Sequence, residues 1–370
     1  MNIAFVISSL SSGGAERVLS LLANEFIKKG YQVFIITICK DEIFYILDEK
    51  IQIIELNLCG ISTNKLEALK RNFKIVKELR KCLKIIKPSC IISFMNSTNI
   101  YSILANFHLK SKLIISEHID YRFVKLSFFW SIQQKIFYRF SDTLVSVSKG
   151  VDQNFKYLNI QKRTVISNPV DTSILVKSNC NDDSTDIEKY KDYMIAVGRL
   201  EHQKRFDVLI KSFSLLKDKS KKLLIFGNGS LKNDLLLLIQ KLNLRHRVFL
   251  MGRVTNPYYV MKNALFLVLS SQYEGFGNVI IESMSCGTPV ISFDCPSGPS
   301  EIIENEINGI LVENQNVEQL AFQMQRLIDD KDLREKLSHE AIKVKEKYSI
   351  EKIANEWEDL IKKVIKNGLS

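Results

Sequence analysis

The segment from Val268 to Asp294 constrains the fold of this chain more than any other, because it holds a strand, a loop, a helix and a second strand in sequence. An apolar run, ALFLVL, starts at Ala264 and has the length of a buried strand. A polar loop with two glycines follows, then helical spacing from Asn278 to Cys286 and a glycine stop at Gly287. A second apolar strand then completes the unit. This order predicts an α/β fold with a parallel sheet.

The loop and helix of this segment have the features of a phosphate and hydroxyl site. Gly275 and Gly277 allow a ligand to approach the backbone, and the first amides of the helix have no intrahelical partner. Such a helix start attracts phosphate. Glu274 and Glu282 can accept hydrogen bonds from sugar hydroxyls. The combination predicts a sugar-nucleotide site, although two glutamates eight residues apart also fit a solvated surface helix.

The N-terminal stretch repeats the pattern of strand, glycine loop and helix. A strand is predicted over 3–8, followed by LSSGGAER and a helical run that ends at Gly30. Gly13 and Gly14 fit either an anion-binding loop or a tight turn, and the dinucleotide fingerprint G-x-G-x-x-G is absent. Because MNIAFVISSL has neither a basic leader nor a cleavage site, we expect a first strand here rather than a signal peptide.

Cations follow another predicted strand, over 193–197. Arg199 and Lys204 lie at its carboxyl end, and Arg205 adds a third cation. Two cations and the amides of a helix can together neutralise a diphosphate, although a solvated basic turn has the same composition. The acid pair Asp182 and Asp183 lies in a polar run typical of a linker, so we do not expect a metal site there.

A histidine ends a third predicted strand, over 113–118. His118 lies in Ser116-Glu117-His118, at the carboxyl edge where open α/β sheets bind ligands. A ligand-binding histidine is favoured over a purely structural one.

Length and charge limit the function classes. A chain of 370 residues has room for two domains, and it contains no apolar run of the roughly 20 residues that a membrane span needs. Its seven cysteines show no CxxC pair, which favours a reducing compartment and unpaired thiols. Residues 1–175 hold 24 Lys and Arg against 14 Asp and Glu, while the remainder holds 28 against 27. The asymmetry predicts an anionic partner for the first half, either a membrane surface or a nucleic acid.

Two stretches of the first half fit such a partner. A helix predicted over 65–87 carries nine Lys and Arg against two Glu, and its apolar positions step by three and four. It fits either a surface resting on anionic lipid or the solvated face of a core-packed helix. Residues 121–140 interleave aromatic and basic side chains, as in an interfacial helix, an acceptor groove, a base-stacking surface or an aromatic core.

Five motifs in order resemble family 4 of the retaining glycosyltransferases, which have the GT-B fold. They are G-G-A-E-R-V, S-E-H, N-P-V-D, G-R-L-x-x-x-K and E-G-F-G-x-x-x-x-E. The resemblance implies two Rossmann-like parallel-sheet domains facing a central cleft, with a C-terminal helix returning to the first domain. It places an acceptor-binding domain at 1–175, a linker at 176–190, a nucleotide-sugar-binding domain at 191–347 and the returning helix at 348–370.

The resemblance also implies roles for individual residues. Glu274 would orient hydroxyls of the donor sugar, Glu282 would bind the ribose, and His118 would lie close to the donor sugar. Arg199 and Lys204 would hold the donor diphosphate, so that no metal ion is required. The remaining positions implied for donor binding are Gly13, Gly14, Gly252, Arg253, Val254, Gly275, Phe276, Gly277, Asn278 and Val279.

The implied activity is retaining transfer of a hexose or N-acetylhexosamine, with GalNAc as one candidate, from a UDP-sugar to a saccharide on undecaprenyl diphosphate. Such an enzyme would serve surface polysaccharide synthesis from the cytoplasm, peripherally on the anionic inner face of the membrane, and would not bind nucleic acid. The alternatives are a nucleotide-sugar epimerase of the same fold and a nucleic-acid-binding protein.

Overall fold

The computed structural model describes residues 1–60, 64–171, 187, 189–254 and 256–367. The chain forms two compact units, which are described separately below. The first comprises Met1–Pro169 and the C-terminal segment from Ile350, and the second runs from Val170 to Ser349. Most of the predicted linker, including Asp182 and Asp183, lies outside the described residues.

The first unit is built on a seven-stranded parallel sheet in the order β3-β2-β1-β4-β5-β6-β7. Apolar residues fill β1, β2 and β4 almost without interruption, as expected of strands covered on both faces. The strands are β1 (Asn2–Ile7), β2 (Gln32–Thr37), β3 (Gln52–Glu55), β4 (Cys90–Phe94), β5 (Lys112–Glu117), β6 (Thr143–Ser146) and β7 (Arg163–Val165).

Helices connect these strands except between β2 and β3, as expected of the crossovers in a parallel sheet. They are α1 (Gly14–Lys28), α2 (Lys65–Ile86), α3 (Asn96–Asn106), α4 (Phe128–Phe137) and α5 (Lys149–Asp152), with 3-10 turns at Tyr138–Phe140, Gln153–Phe155 and Ile160–Lys162.

The C-terminal helix packs on this first unit. It runs over Ile350–Lys366, and its buried Trp357 stacks on Phe94 of β4 with ring centroids 6.5 Å apart. Glu358 accepts hydrogen bonds from Tyr31, at 2.6 Å, and from Lys29, at 2.8 Å. These contacts confirm the predicted return of the last helix to the first domain.

The second unit is built on a six-stranded parallel sheet in the order β10-β9-β8-β11-β12-β13. Its strands are β8 (Tyr193–Val197), β9 (Lys222–Phe226), β10 (Val248–Gly252), β11 (Leu267–Leu269), β12 (Val290–Phe293) and β13 (Ile310–Val312). Its helices are α6 (Phe206–Ser214), α7 (Lys232–Lys241), α8 (Pro257–Lys262), α9 (Asn278–Ser285), α10 (Pro299–Ile302), α11 (Val317–Asp329), α12 (Lys331–Ala341) and α13 (Val344–Tyr348), with a 3-10 turn at His202–Lys204. The C-terminal helix of the first unit is α14.

The two parallel sheets, each flanked by helices, confirm the predicted α/β architecture. The segment from Val268 to Asp294 forms β11, α9 and β12 in the predicted order, and β11 pairs directly with β12. Gly287 follows the helix with φ at +77°, as its predicted role as a helix stop requires.

One sequence expectation for the first unit was wrong. Cys39 and Cys59 form a disulfide between the segments that follow β2 and β3, so the cysteines are not all free thiols. The two residues are 20 positions apart and belong to no recognisable spacing motif, which is why the sequence did not reveal them. The apolar positions of α2 divide into two groups, because Leu66, Leu69 and Phe73 are exposed whereas Leu79, Leu83 and Ile86 are buried.

Candidate active site

Three loops of the second unit meet at the carboxyl edge of its sheet. They follow β8, β9 and β10, which are neighbours in the sheet. The amide of Gly227 donates to the carbonyl of Gly252 at 2.7 Å, and the amide of Leu200 donates to the carbonyl of Asn228 at 3.0 Å. These bonds hold Arg199, beside Leu200, at the edge where open α/β sheets bind ligands.

Two glycines make this close packing of loops possible. A Cβ atom on Gly227 would lie 1.8 Å from the carbonyl oxygen of Gly198, and one on Gly229 would lie 2.4 Å from that of Leu200. Both distances are far below a van der Waals contact, so a side chain at either position would displace the turn that carries Arg199.

Lys204 and Glu274 form an ion pair at this edge. The ammonium Nζ lies 2.6 Å from Glu274 Oε1, and the two side chains are only 15% and 8% exposed. The hydroxyl of Ser271 donates to the same carboxylate oxygen at 2.6 Å, and Ser271 is fully buried. A fixed carboxylate with one cation and one hydroxyl donor is a preorganised group that hydroxyls of a ligand can bind.

The loops around the pair are tied to each other. Ser270 donates to the carbonyl of Lys204 at 2.7 Å, and the amide of Gln272 donates to the carbonyl of Gln203 at 2.8 Å. The side chain of Gln203 donates to the carbonyl of Tyr273 at 3.0 Å. The loop after β8 and the loop after β11 are therefore held as one rigid support for Lys204 and Glu274.

The other two cations of the sequence motif have different surroundings. Arg199 is exposed and donates to Gln203 at 3.4 Å, so its guanidinium can reach a ligand. Arg205 donates to Asp207 at 2.9 Å and also to Gln315. The guanidinium of Arg205 therefore already has two protein partners.

Helix α9 begins directly after the glycine loop, as the sequence predicts. Gly277 caps it in the left-handed region, with φ at +95°. Phe276 is buried against Tyr348, with ring centroids 5.5 Å apart. A Cβ atom on Gly298 would lie 2.0 Å from the carbonyl oxygen of Phe276, so Gly298 is needed for the loop after β12 to support this turn.

The remaining predicted donor residues lie on the same unit. Glu282 is a mostly buried side chain of α9, and Asn278 and Val279 are its first two residues. Gly252 ends β10 with φ at +78°, and Arg253 and Val254 follow it. All of these lie on α9 or on loops at the carboxyl edge of the sheet.

In the first unit, Gly13 lies between β1 and α1, and Gly14 is the first residue of α1. Gly13 caps α1, and Tyr45 donates to its carbonyl at 3.1 Å. A Cβ atom on Gly13 would lie 2.0 Å from a carboxylate oxygen of Glu16, which folds back over it. A side chain at this position would require that carboxylate to move.

His118 lies immediately after β5 and is held on two sides. Its Nε2 is 3.1 Å from the hydroxyl of Ser116, and its ring stacks on Phe94 with centroids 5.4 Å apart. Burial lowers the pKa of His118 to about 3. The imidazole is therefore neutral at neutral pH and can accept or donate a hydrogen bond without carrying charge.

Glu117 is fully buried and directly precedes this histidine. The sequence motif gave it no role. It accepts hydrogen bonds from Tyr121 at 2.7 Å, from Asn99 at 3.0 Å and from Tyr138. Burial raises its pKa to about 7, against the lowering effect of these hydrogen bonds. The only sequence signal was its place in Ser116-Glu117-His118, since its partners are distant in the chain.

No cluster of three or more His, Cys, Asp or Glu side chains among the described residues could hold a metal ion. Within the same part of the chain, no helix combines the length and apolar character that a membrane span demands.

Comparison with known proteins identifies the family. The model of Glycosyltransferase Family 4 matches residues 12–174, and the model of Glycosyl transferases group 1 matches residues 179–344. A Campylobacter jejuni α-1,4-N-acetyl-D-galactosaminyltransferase, named for a GalNAc-containing undecaprenol-diphosphate acceptor, is 31% identical over 98% of this chain and 99% of its own. The chain belongs to glycosyltransferase family 4.

Further similarities agree with this assignment. A second C. jejuni protein, an N-acetylgalactosamine-N,N'-diacetylbacillosaminyl-diphospho-undecaprenol 4-α-N-acetylgalactosaminyltransferase, is 31% identical to this transferase over 90% of this chain and 92% of its own. The crystal structure of Anabaena Alr3699/HepE in complex with UDP and glucose superposes with a TM-score of 0.81 at 18% identity, covering 98% of this chain and 100% of that one. The structural likeness confirms the GT-B fold class. The named relatives transfer sugars, so the epimerase and nucleic-acid alternatives are not supported.

Proposed function

We propose that this transferase moves an N-acetylhexosamine from a UDP-linked donor to a saccharide on undecaprenyl diphosphate. The sugar we propose is GalNAc. The two C. jejuni relatives support the sugar and the acceptor, since both are named for N-acetylgalactosaminyl transfer to such a lipid-linked saccharide. The Anabaena structure supports UDP as the nucleotide of the donor. The acceptor would place the enzyme peripherally at the anionic inner face of the cytoplasmic membrane.

The single observation that carries the proposal is the Lys204–Glu274 pair with its serine. When the C1–O bond to the diphosphate breaks, negative charge develops on the leaving phosphate and positive charge on the sugar ring. Arg199, Lys204 and the first amides of α9 can stabilise the phosphate charge where it develops. Glu274 can accept hydrogen bonds from the sugar hydroxyls, and Glu282 from the ribose.

The donor would change the state of the ion pair. In the structure, the charge of Lys204 is neutralised by Glu274. A bound diphosphate would compete with Glu274 for the ammonium of Lys204. The hydroxyls of the donor sugar would take the place of that ammonium on the carboxylate of Glu274. Binding would thus exchange one internal ion pair for two contacts with the donor, one at each end of the scissile bond.

The proposed transfer retains the anomeric configuration. The acceptor hydroxyl attacks C1 from the face that the diphosphate leaves, its proton passes to the leaving phosphate oxygen, and UDP departs. Glu274 is held by Lys204 and Ser271 and is assigned to hydroxyl binding rather than to nucleophilic attack. The two side-chain cations supply the charge stabilisation for which other transferases use a metal ion, so we expect no metal requirement.

The domain roles and the remaining site residues belong to the same proposal. Residues 1–175 would bind the acceptor and residues 191–347 the donor, with 176–190 as linker and 348–370 as the helix that joins the first domain. Gly252, Arg253 and Val254 would receive the base, and the stretch from Gly275 to Val279 the phosphates. Gly13, Gly14 and His118 keep the donor-sugar roles that the family resemblance implies.

The experiment is transfer from a panel of UDP-sugars to lipid-linked saccharides, with the product identified by mass. His118→Ala and Glu274→Ala should each reduce transfer by at least 100-fold, and both should keep the unfolding temperature within a few degrees. Consumption of a UDP-sugar without an acceptor, giving an epimer rather than a disaccharide, would refute the proposal.

A further inference from the structure

We propose that α2 and α4 of the first unit form one docking face for an anionic lipid bilayer, with apolar side chains of both helices inserted among the acyl chains. The proposal rests on the proposed function in one respect, since a lipid-linked acceptor lies in a bilayer. It goes beyond that function by assigning the face, its depth of contact and its residues.

Helix α4 presents an apolar row to solvent. Phe128, Ile132 and Ile136 recur at intervals of four and so lie along one side of the helix, with exposed fractions of 83%, 42% and 50%. Phe129 and Phe140 extend the row at either end and are also exposed. Only Gln134 is buried among the residues of this helix. A helix that exposes two phenylalanines and two isoleucines and buries a glutamine does not turn its apolar side to the protein core.

Helix α2 presents a second apolar row over its first half. Leu66, Leu69 and Phe73 share one side of the helix, and they are 63%, 59% and 72% exposed. The second half of α2 behaves differently, because Ile75, Leu79, Leu83 and Ile86 are buried in the unit. The helix is thus anchored by its C-terminal half and projects an unburied apolar side at its start.

A tyrosine of α3 joins the two rows. The hydroxyl of Tyr101 donates to Asn72 of α2 at 2.8 Å, and its ring meets Trp130 of α4 edge-on with centroids 5.9 Å apart. Asn72 precedes Phe73, and Trp130 follows Phe129. These contacts place the first half of α2 and the start of α4 on either side of Tyr101, and we treat their exposed apolar rows as one surface, which we call the α2–α4 face.

The charge of the α2–α4 face identifies its occupant. Lys65, Lys70, Lys74 and Lys77 are exposed on α2 beside the apolar row. The stretch 121–140 contains Arg122, Lys125, Lys135 and Arg139 and no acidic residue. A second copy of this face would bring like charges together, whereas anionic headgroups match the cations and acyl chains match the apolar rows. Lysine stems can lie along apolar surface while their ammonium groups reach the headgroups.

Vesicle flotation tests the face with the full chain. We expect binding to vesicles of phosphatidylcholine with phosphatidylglycerol and at least tenfold weaker binding to phosphatidylcholine alone. Phe128→Ser with Ile132→Ser should reduce binding to the anionic vesicles at least tenfold. Lys70→Glu with Lys74→Glu should do the same and should also weaken the salt dependence of binding.

A matched control is available on α7 of the second unit. Leu236 and Leu237 are 46% and 65% exposed there, and Lys232 and Lys241 are exposed at the ends of the same helix. Leu236→Ser with Leu237→Ser, and Lys232→Glu with Lys241→Glu, remove the same chemistry elsewhere. These variants should bind vesicles as the unaltered protein does; an equal loss in them would overturn the assignment to α2 and α4.

Insertion depth is measured with Trp130. The chain has two tryptophans, so Trp357→Phe leaves Trp130 as the only indole. Its emission should shift to the blue on anionic vesicles and be quenched by brominated acyl chains. Vesicle binding without quenching would show that the face rests on headgroups only and would overturn the inserted geometry.

Two further measurements distinguish a failure of the docking face from a failure of the proposed function. Calorimetric UDP binding should be unchanged in all four double variants, because none of their residues lies at the proposed donor site. UDP binding without vesicle binding would refute the docking face alone, and vesicle binding without UDP binding would refute the proposed function alone. A dimer that Phe128→Ser with Ile132→Ser converts to monomer would show instead that the face binds a second copy.

Discussion

The ammonium group of Lys204 lies 2.6 Å from carboxylate oxygen Oε1 of Glu274, and both side chains are largely buried. The two residues come from loops after different strands, so their contact is a property of the fold rather than of either motif. In the proposed reaction they serve opposite ends of the donor, the diphosphate and the sugar. Their mutual contact fixes both side chains at the edge of the sheet where the two ends of the donor would bind.

The pair predicts opposite effects of a single substitution on binding and on turnover. Glu274→Gln removes the charge that neutralises Lys204, so UDP should bind at least as tightly as to the unaltered enzyme. Transfer should nevertheless fall at least 100-fold, because a neutral amide holds the sugar hydroxyls less strongly. Calorimetry with UDP and a transfer assay measure the two quantities. A tenfold loss of UDP affinity would contradict the exchange of partners described above.

Ser271 should act as a positioning residue for Glu274. Ser271→Ala removes one hydrogen bond to a charged group, a contribution of about 1.5–3 kcal/mol, and so should lower kcat about 10- to 100-fold. The KM for donor should change much less. Ser283→Ala is the matched control, because Ser283 is equally buried in the same unit but donates to the carbonyl of Thr288. Equal losses of kcat in both variants would indicate a general structural effect.

Glu117 should make the first unit less stable as pH rises. Its pKa is raised to about 7 in the folded state by burial, so the folded chain binds more protons than the unfolded chain between about pH 4.5 and 7. The free energy of unfolding should fall across this window, and the fall is complete above the folded pKa. Glu117→Gln should flatten this part of the curve. Unfolding temperatures of the unaltered protein and of Glu117→Gln are compared from pH 5 to 8. Parallel curves for the two proteins would contradict the raised pKa of Glu117.

Glu358 should contribute stability that acid removes. Hydrogen bonds and charges from Lys29, Lys362 and Tyr31 lower its pKa to about 2. A depressed carboxyl pKa stabilises the fold above the unfolded value of about 4.5, and this stability is lost as pH falls toward 2. Glu358→Gln should therefore destabilise the protein at pH 7 and have little effect near pH 2. Hydrogen exchange of α14 should rise selectively in this variant at pH 7.

The sequence predicted the elements of the site better than their contacts. Strand, loop and helix around Glu274 were readable because glycines, apolar runs and a helix start occur in order within a single short segment. The pairing of Lys204 with Glu274 was not, since 70 residues separate them and only the sheet order brings their loops together. Ser271 was missed for the same reason that most buried serines are, because its hydrogen bond depends on the shape of one turn.

The sequence also did not show which apolar residues of a helix are buried and which are exposed. The periodicity of α2 identified the helix within one residue of its end, but it could not show where the stripe leaves the core at Phe73. In α4 the aromatic residues fit a core as well as a surface, and only the fold shows that Phe128 is exposed. The hydrogen bonds around Glu117 join residues from β5, α3 and the turn after α4, so no local sequence pattern predicts them.

The most direct test of the central claim uses purified enzyme, UDP-GalNAc and an undecaprenyl-diphosphate-linked saccharide, with and without EDTA. NMR of the product should show one added α-linked GalNAc, formed equally in both conditions, and Glu274→Ala should form less than a hundredth as much. A β-linked product, or a Glu274→Ala enzyme of nearly unaltered rate, would contradict the account.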